Sequence, residues 1–310
     1  MRWLNELMDE LMDFTHLEDL GWTRRQISRA EGDGTLTKVG RGLWTTPGDP
    51  SRRARHLRAT QAVLHASHPD TVASHVSASA LWGLPLNGDL STVWVTREGR
   101  GGGRVQPGVH RVRAPLTPRD VTEANGLRVT SIARTVADVA RTRDHVEAVM
   151  VADAALRQGL ARTDLDDMLD GMTRWPGTAR ARRAISFADP LAESPYESWT
   201  RVLLRRMGMP APTLQHKVFT PSGQFVARLD FAFVEWGLGI EYDGEGKYDE
   251  LAATSSPGEV FAREKRRDRA LAALGWHMLH LSKQDVHDWQ QFQTVVRQAV
   301  PVARLQSRAA

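Results

Sequence analysis

The sequence predicts an α+β protein in three parts. A helix-turn-helix head with a hairpin wing covers 1–48, an α/β connector covers 52–185, and a tail over 190–300 runs in the order α-β-β-β-α-β-α. Three observations lead there. Two capping boxes follow closely on one another near the N-terminus. The stretch 171–191 is broken by Trp175-Pro176-Gly177 and by Asp189-Pro190. Beyond it, apolar runs of period two alternate with runs of helical period. The chain has 310 residues, long for one core, so two or three domains are expected.

Composition narrows the class. The apolar fraction is 41%, ordinary for a soluble domain, and no apolar run approaches the ~20 residues of a membrane helix. Glu6 interrupts the N-terminal segment where a signal peptide would be apolar. Cysteine is absent, which excludes disulfides and thiolate metal sites. A cytoplasmic location with no membrane partner is expected. Net charge is only +4, but arginine is clustered at 24–25, 52–53, 180–183 and 263–269. Such clusters suit phosphate, because the guanidinium fork binds two oxygens; solvated helix faces are the alternative.

In the head, Trp3, Leu4, Leu7, Met8 and Leu11 follow helical spacing. Thr15-His16-Leu17-Glu18 reads as a capping box, with Phe14 as the staple residue and a short helix ending at Gly21. Thr23-Arg24-Arg25-Gln26 reads as a second box that starts the next helix. Leu36-Thr37-Lys38-Val39 and Leu43-Trp44-Thr45 flank Gly40-Arg41-Gly42 as a hairpin. By position, the second helix would offer Arg24, Arg25 and Arg29 to a DNA groove, and the wing would offer Arg41. A plain packing module is the alternative.

In the connector, 55–65 reads as a helix, and 75–85 as another closed by Gly83 and Pro85. Residues 93–96 and 109–112 read as strands, with the glycine-rich 99–104 as a turn. Two further helices are expected over 131–140 and 146–159. No catalytic constellation shows, and His75 reads as a structural hydrogen-bonder. The breaks over 171–191 mark the boundary to the tail.

The tail opens with Ser194 as a cap, Pro195 at the first helical position and Glu197 closing the box. Residues 218–219 and 225–233 form a hairpin around Pro221-Ser222-Gly223, and 238–243 form the next strand. A long basic helix spans 259–274, and a final strand (276–281) leads into the last helix. Asp230 interrupts an apolar strand. Glu241 and Asp243 are two apart, so both project to one face of theirs. Acids on a central strand are costly unless paired or bound to metal. Oxygens converging at a strand end suit Mg²⁺, with Mn²⁺ as a substitute, and such an ion activates water for phosphodiester cleavage. An exposed edge strand with arginine partners is the alternative. Glu264 and Arg267 lie three apart on the apolar side of the basic helix, as a site contact or a helix ion pair. His280 shares a face with Trp276 and Met278 and reads as packing.

The runs Arg228-Leu229-Asp230-Phe231-Ala232-Phe233, Ile240-Glu241-Tyr242-Asp243-Gly244 with Lys247-Tyr248, and Glu264-Lys265-Arg266-Arg267-Asp268 with Leu274-Gly275-Trp276 together resemble the DUF559 family. That family is similar to the very-short-patch repair endonucleases, within the restriction-endonuclease-like PD-(D/E)XK superfold. The resemblance implies a nuclease domain with Asp230 as first acid and Glu241 as second. Asp243 stands where the usual pattern has lysine; Lys247, four residues on, is the candidate replacement. It also implies Glu197 as a helix acid near the metal, a role its capping position explains equally well. The stretches Gly21-Trp22-Thr23-Arg24-Arg25-Gln26-Ile27, Arg41-Gly42-Leu43-Trp44, Ser74-His75-Val76-Ser77-Ala78, Gly83-Leu84-Pro85 and Thr130-Ser131-Ile132-Ala133-Arg134-Thr135 resemble the AbiEi antitoxin family of abortive-infection systems.

The expected function is therefore Mg²⁺-dependent hydrolysis of DNA, targeted by the head, in phage defence or repair. In this reading Asp230, Glu241 and Asp243 hold the metal, Lys247 and Glu197 assist, and Arg267 contacts nucleic acid. The alternative is a DNA-binding repressor or antitoxin whose nuclease fold is inactive. A cognate toxin or defence protein is a further expected partner in a toxin–antitoxin pair.

Overall fold

The computed structural model describes residues 12–40, 42–47, 51–100, 103–244 and 257–307. The expected first helix through Trp3 and Leu11, and the positions of Arg41 and Lys247, lie outside the described residues. The protein is of mixed α+β class and divides into two compact units, Met1–Ala188 and Asp189–Ala310. No helix among the described residues is long and apolar enough to cross a membrane.

The first unit opens with β1 (Met12–Asp13), α1 (Phe14–Asp19) and α2 (Arg24–Gly32), followed by β2 (Thr37–Gly40) and β3 (Leu43–Thr45). The capping box expected at Thr15 is replaced by one residue: Asp13 caps α1 by accepting the His16 N–H at 2.8 Å. A carboxylate three residues ahead of an amide satisfies it directly, so Phe14 is the first helical residue and not a staple. Thr23 and Gln26 do close a reciprocal box on α2. Leu17, Ile27, Ala30, Leu36 and Trp44 form the small core beneath these elements.

The rest of the unit is built on a six-stranded sheet. It contains α3 (Arg52–His65), β4 (Val72–Ala73), α4 (His75–Leu81), β5 (Val93–Glu98), β6 (Arg104–Gln106), β7 (Val109–Ala114), β8 (Val121–Ala124) and β9 (Leu127–Thr130). The strand order is β6-β7-β5-β4-β9-β8. Four helices follow: α5 (Ile132–Thr142), α6 (His145–Arg157), α7 (Arg162–Asp170) and α8 (Thr178–Phe187). The stretch 171–191, expected to separate domains, also holds α8, whose Ala181, Ala184 and Ile185 are buried. Arginine-rich composition disguised this helix; small residues at helical spacing give it a packing face. The compact units divide after Ala188, within the stretch expected to separate them.

The second unit runs α9 (Pro195–Arg206), β10 (Thr213–Phe219), β11 (Phe225–Phe233), β12 (Leu238–Tyr242), α10 (Pro257–Ala273), β13 (His277–Leu281), α11 (Lys283–His287) and α12 (Trp289–Ser307). Its sheet has the order β10-β11-β12-β13, antiparallel except for the parallel β12–β13 pair. One face packs Phe231, Phe233, Ile240 and Leu281 against Leu203, Leu204, Phe292 and Val296 of the flanking helices. The other packs Ala227 and Leu229 against Leu271 and Met278. Gly239 belongs to this second face: a Cβ there would lie 2.5 Å from Met278 Sδ and 2.9 Å from Leu229 Cδ1. Only glycine lets β12 sit so close beneath both side chains.

β10 and β11 change faces together. Leu214 and Phe231 pair and pack on the first side, whereas Val218 and Ala227 pair and pack on the second. The crossing point lies at Gln215, whose φ of +51° is left-handed, and at Asp230 beside it. Alternation of side chains is strictly two-residue in a regular strand, so this kink is what frees Asp230 from the apolar pattern.

Candidate metal centre

The parallel register sets Glu241 beside His280. Both project to the α10 face, because Ile240, Tyr242 and Leu281 occupy the other. Asp243 follows just beyond β12, its N–H donating to the Leu281 carbonyl at 2.9 Å, which keeps it in line with the strand. His280 Nδ1 lies 3.1 Å from Asp243 Oδ2 and 4.0 Å from Glu241 Oε2. Ligand atoms of Glu241, Asp243 and His280 all fall within 4.8 Å of one another. The hydrogen bond that the His280 imidazole donates to Asp243 holds its pKa above the usual value, against the opposing effect of burial; the Asp243, Glu241 and Asp268 charges add to the rise.

α10 contributes the cation of the site. Arg267 Nη2 donates to Glu241 Oε2 at 2.5 Å, and Asp268 Oδ1 stands 3.9 Å from His280 Nε2. Burial works against the Arg267 charge, but the Glu241 hydrogen bond and charge outweigh it and hold its pKa above the usual value. Glu241 is 2% exposed, and its second oxygen, Oε1, has no hydrogen-bond partner among the described residues. A buried carboxylate oxygen left unpaired is costly. With a second carboxylate and an imidazole beside it, the group offers donors of the type that could hold a divalent cation.

The other expected site residues are placed differently. Asp230 does not join the group of three: its Oδ2 accepts the Tyr242 N–H at 3.1 Å. The β11–β12 ladder ends at Phe231 opposite Ile240, and the Asp230 carboxylate takes over as acceptor just past that end. Glu197 does not close a capping box on Ser194. Its Oε2 accepts from the Glu193 N–H and from Gln215 Nε2, each at 2.9 Å, while Ser194 Oγ accepts the Glu197 N–H at 3.1 Å. Glu197 is thereby tied to Gln215, the residue at the strand kink. Arg267, expected to meet nucleic acid, gives its Nη2 donor to Glu241.

His280 is the residue that sequence reasoning passed over. Its alternation with Met278 was visible, but the register that sets it beside Glu241 was not. In the first unit, Arg24, Arg25 and Arg29 are exposed on α2, and the Arg24 guanidinium lies 4.7 Å over the Phe14 ring.

No protein-family model matches the chain. Over 265 residues it is 28% identical to the uncharacterized proteins MT2308 and Rv2248 of Mycobacterium tuberculosis, with 85% of this chain and 92% of each relative covered. Among solved structures it is similar to the crystal structure of RV2827C protein from Mycobacterium tuberculosis. That similarity has a TM-score of 0.39 and 15% identity, over 69% of this chain and 85% of that one.

Proposed function

We propose that the second unit is a restriction-endonuclease-like nuclease domain that hydrolyses DNA with a divalent cation, and that the head of the first unit is a winged helix that binds DNA. The observation that carries the nuclease reading is that ligand atoms of Glu241, Asp243 and His280 fall within 4.8 Å of one another, on a buried carboxylate whose Oε1 has no partner among the described residues. The order α9-β10-β11-β12-α10-β13-α12 among the described residues, with the short α11 between β13 and α12, supports the same reading.

Glu241, Asp243 and His280 would hold the cation. Two carboxylates suit Mg²⁺, and the imidazole favours Mn²⁺ as a partner. When bound, such an ion supplies an activated water and neutralises charge developing on the phosphodiester. The chain's own residues do the rest. Arg267 orients Glu241, Asp243 orients the His280 ring through Nδ1, and Asp230 holds the end of β12 by its bond to the Tyr242 amide.

A second reading has its own observation. Arg267 already occupies Glu241 Oε2, and an aspartate stands at 243 where lysine is usual for the superfold. Both features favour a DNA-binding repressor or antitoxin with an inactive nuclease fold. Incubating the purified chain with supercoiled and linear plasmid under Mg²⁺, Mn²⁺ or EDTA separates the two. Metal-dependent nicking or cutting that Glu241→Gln abolishes supports the nuclease. Shifted but uncut DNA under both metals supports the repressor.

A further inference from the structure

We infer that the β5-β7-β6 end of one face of the six-stranded sheet in the first unit is a binding surface for the phosphate backbone of DNA. Arg97 of β5 pairs with Arg113 of β7, Val95 pairs with Arg111, and Arg111 pairs with Arg104 of the edge strand β6. Residues paired across neighbouring strands project to the same side, so Arg97, Arg104, Arg111 and Arg113 share one face. The opposite face is a different environment, where the Trp94 ring lies 3.8 Å from His110 and 4.6 Å from His75.

These four arginines are not neutralised. None of them forms an ion pair among the described residues: Arg111 Nη1 donates to Ser67 Oγ at 2.9 Å, and Arg113 Nη1 to the Glu98 carbonyl at 3.1 Å. Elsewhere in the same unit, Arg134 and Arg141 share Asp138 at 2.8 and 3.0 Å. Two acids of this region are otherwise engaged or turned away. Asp70 is taken by His68 at 3.3 Å and Arg128 at 3.7 Å, and Glu98, one position past Arg97, falls on the other face. Arg104 and Arg113 are exposed, and a recess of about 140 Å³ opens among His68, Thr71, Arg97, Arg111 and Arg113.

The pattern fits a repeating anion. Strands lie ~4.8 Å apart, and same-face positions repeat every ~6.8 Å along a strand. Two nucleotides of one DNA strand rise ~6.8 Å. Guanidinium forks match phosphate oxygens. No aromatic side chain occupies positions 93, 95, 97, 104, 106, 109, 111 or 113 of this face, so nothing there would stack on bases. The contact is therefore to the backbone and independent of sequence. It extends the DNA reading of the head and does not depend on the metal centre.

Fluorescence anisotropy of labelled duplexes of unrelated sequence, titrated with salt against the full chain, tests it. Arg97→Gln, Arg104→Gln and Arg113→Gln together should lower the slope of log affinity against log salt by about 3 and weaken binding on the order of 100-fold, with melting temperature unchanged. Arg24→Gln, Arg25→Gln and Arg29→Gln serve as the separate head variant. If only the head variant loses affinity, the sheet surface is refuted and the head reading stands. An unchanged salt slope in the sheet variant refutes it as well. Equal, arginine-dependent binding of polyglutamate at the same salt would overturn the choice of DNA as the partner.

Discussion

Arg267 and Glu241 form a clamp in which one carboxylate oxygen is held at 2.5 Å and the other, buried, is left without a partner among the described residues. The pair lies on the α10 face of the second sheet, and its two halves come from β12 and α10. One expected consequence concerns stability. Arg267→Ala would strand a buried carboxylate, and hydrogen bonds to charged groups contribute ~1.5–3 kcal/mol. A loss on the order of 2 kcal/mol in urea denaturation is expected without metal. Added Mn²⁺ should restore part of it, because a ligand that binds only the folded state stabilises that state. A Glu241→Gln, Arg267→Met double variant should lose less than the two single variants combined, as expected for residues in contact.

The three ligand candidates and Asp230 are expected to separate in calorimetric titration with Mn²⁺. Asp243→Asn and His280→Ala should each weaken binding at least tenfold. Asp230→Ala should leave binding nearly intact and instead lower stability by about 1–3 kcal/mol, since it removes the acceptor of the Tyr242 N–H. Abolished metal binding in a folded Asp230→Ala chain would return Asp230 to the metal shell.

The first unit should lose stability in mild acid through His75. This residue is 3% exposed, and burial lowers its pKa from 6.5 to about 4, against a smaller opposing effect from Asp138. The folded state thus keeps His75 neutral while the unfolded chain protonates it near 6.5. Between pH 6.5 and about 4 the unfolded state binds more protons, so stability falls as pH falls and the loss is complete below about 4. The full effect is on the order of 3 kcal/mol. In denaturation curves across that window, wild type should lose its advantage over His75→Gln; parallel pH profiles would refute the assignment.

Gly239→Ala should destabilise the second unit by about 1–3 kcal/mol, the usual cost of overpacking, because the new methyl meets Met278 Sδ and Leu229 Cδ1. Met278→Ala in the same chain should recover part of the loss. Full additivity of the two changes in thermal denaturation would show that the contact does not limit β12.

The sequence made some of these relationships legible and hid others for physical reasons. Two-residue alternation was enough to set Glu241 and Asp243 on one side of a strand, and Thr23 with Gln26 was enough to start α2. The role of Asp230 was hidden because regular alternation was assumed where Gln215 and Asp230 break it. His280 was hidden because its significance depends on parallel pairing with a strand distant in sequence, which no local pattern encodes. Helix α8 was hidden because two of its four buried residues are alanine, whose burial carries little hydrophobic signal, and a third is Thr178.

The parallel pairing of β12 with β13 also has a kinetic side. Glu241 and Asp243 are neighbours in the chain, but Arg267 is 26 residues from Glu241 and His280 is 37 from Asp243. Closing so long a connection carries an entropic cost that local contacts do not, and parallel pairing across a crossover is slow compared with hairpin formation. The two acids therefore exist as a bare, mutually repelling pair until the last strand docks. Affinity of the proposed site for a cation would therefore be complete only once β13 has docked, so that metal binding would report the finished pairing of β12 with β13.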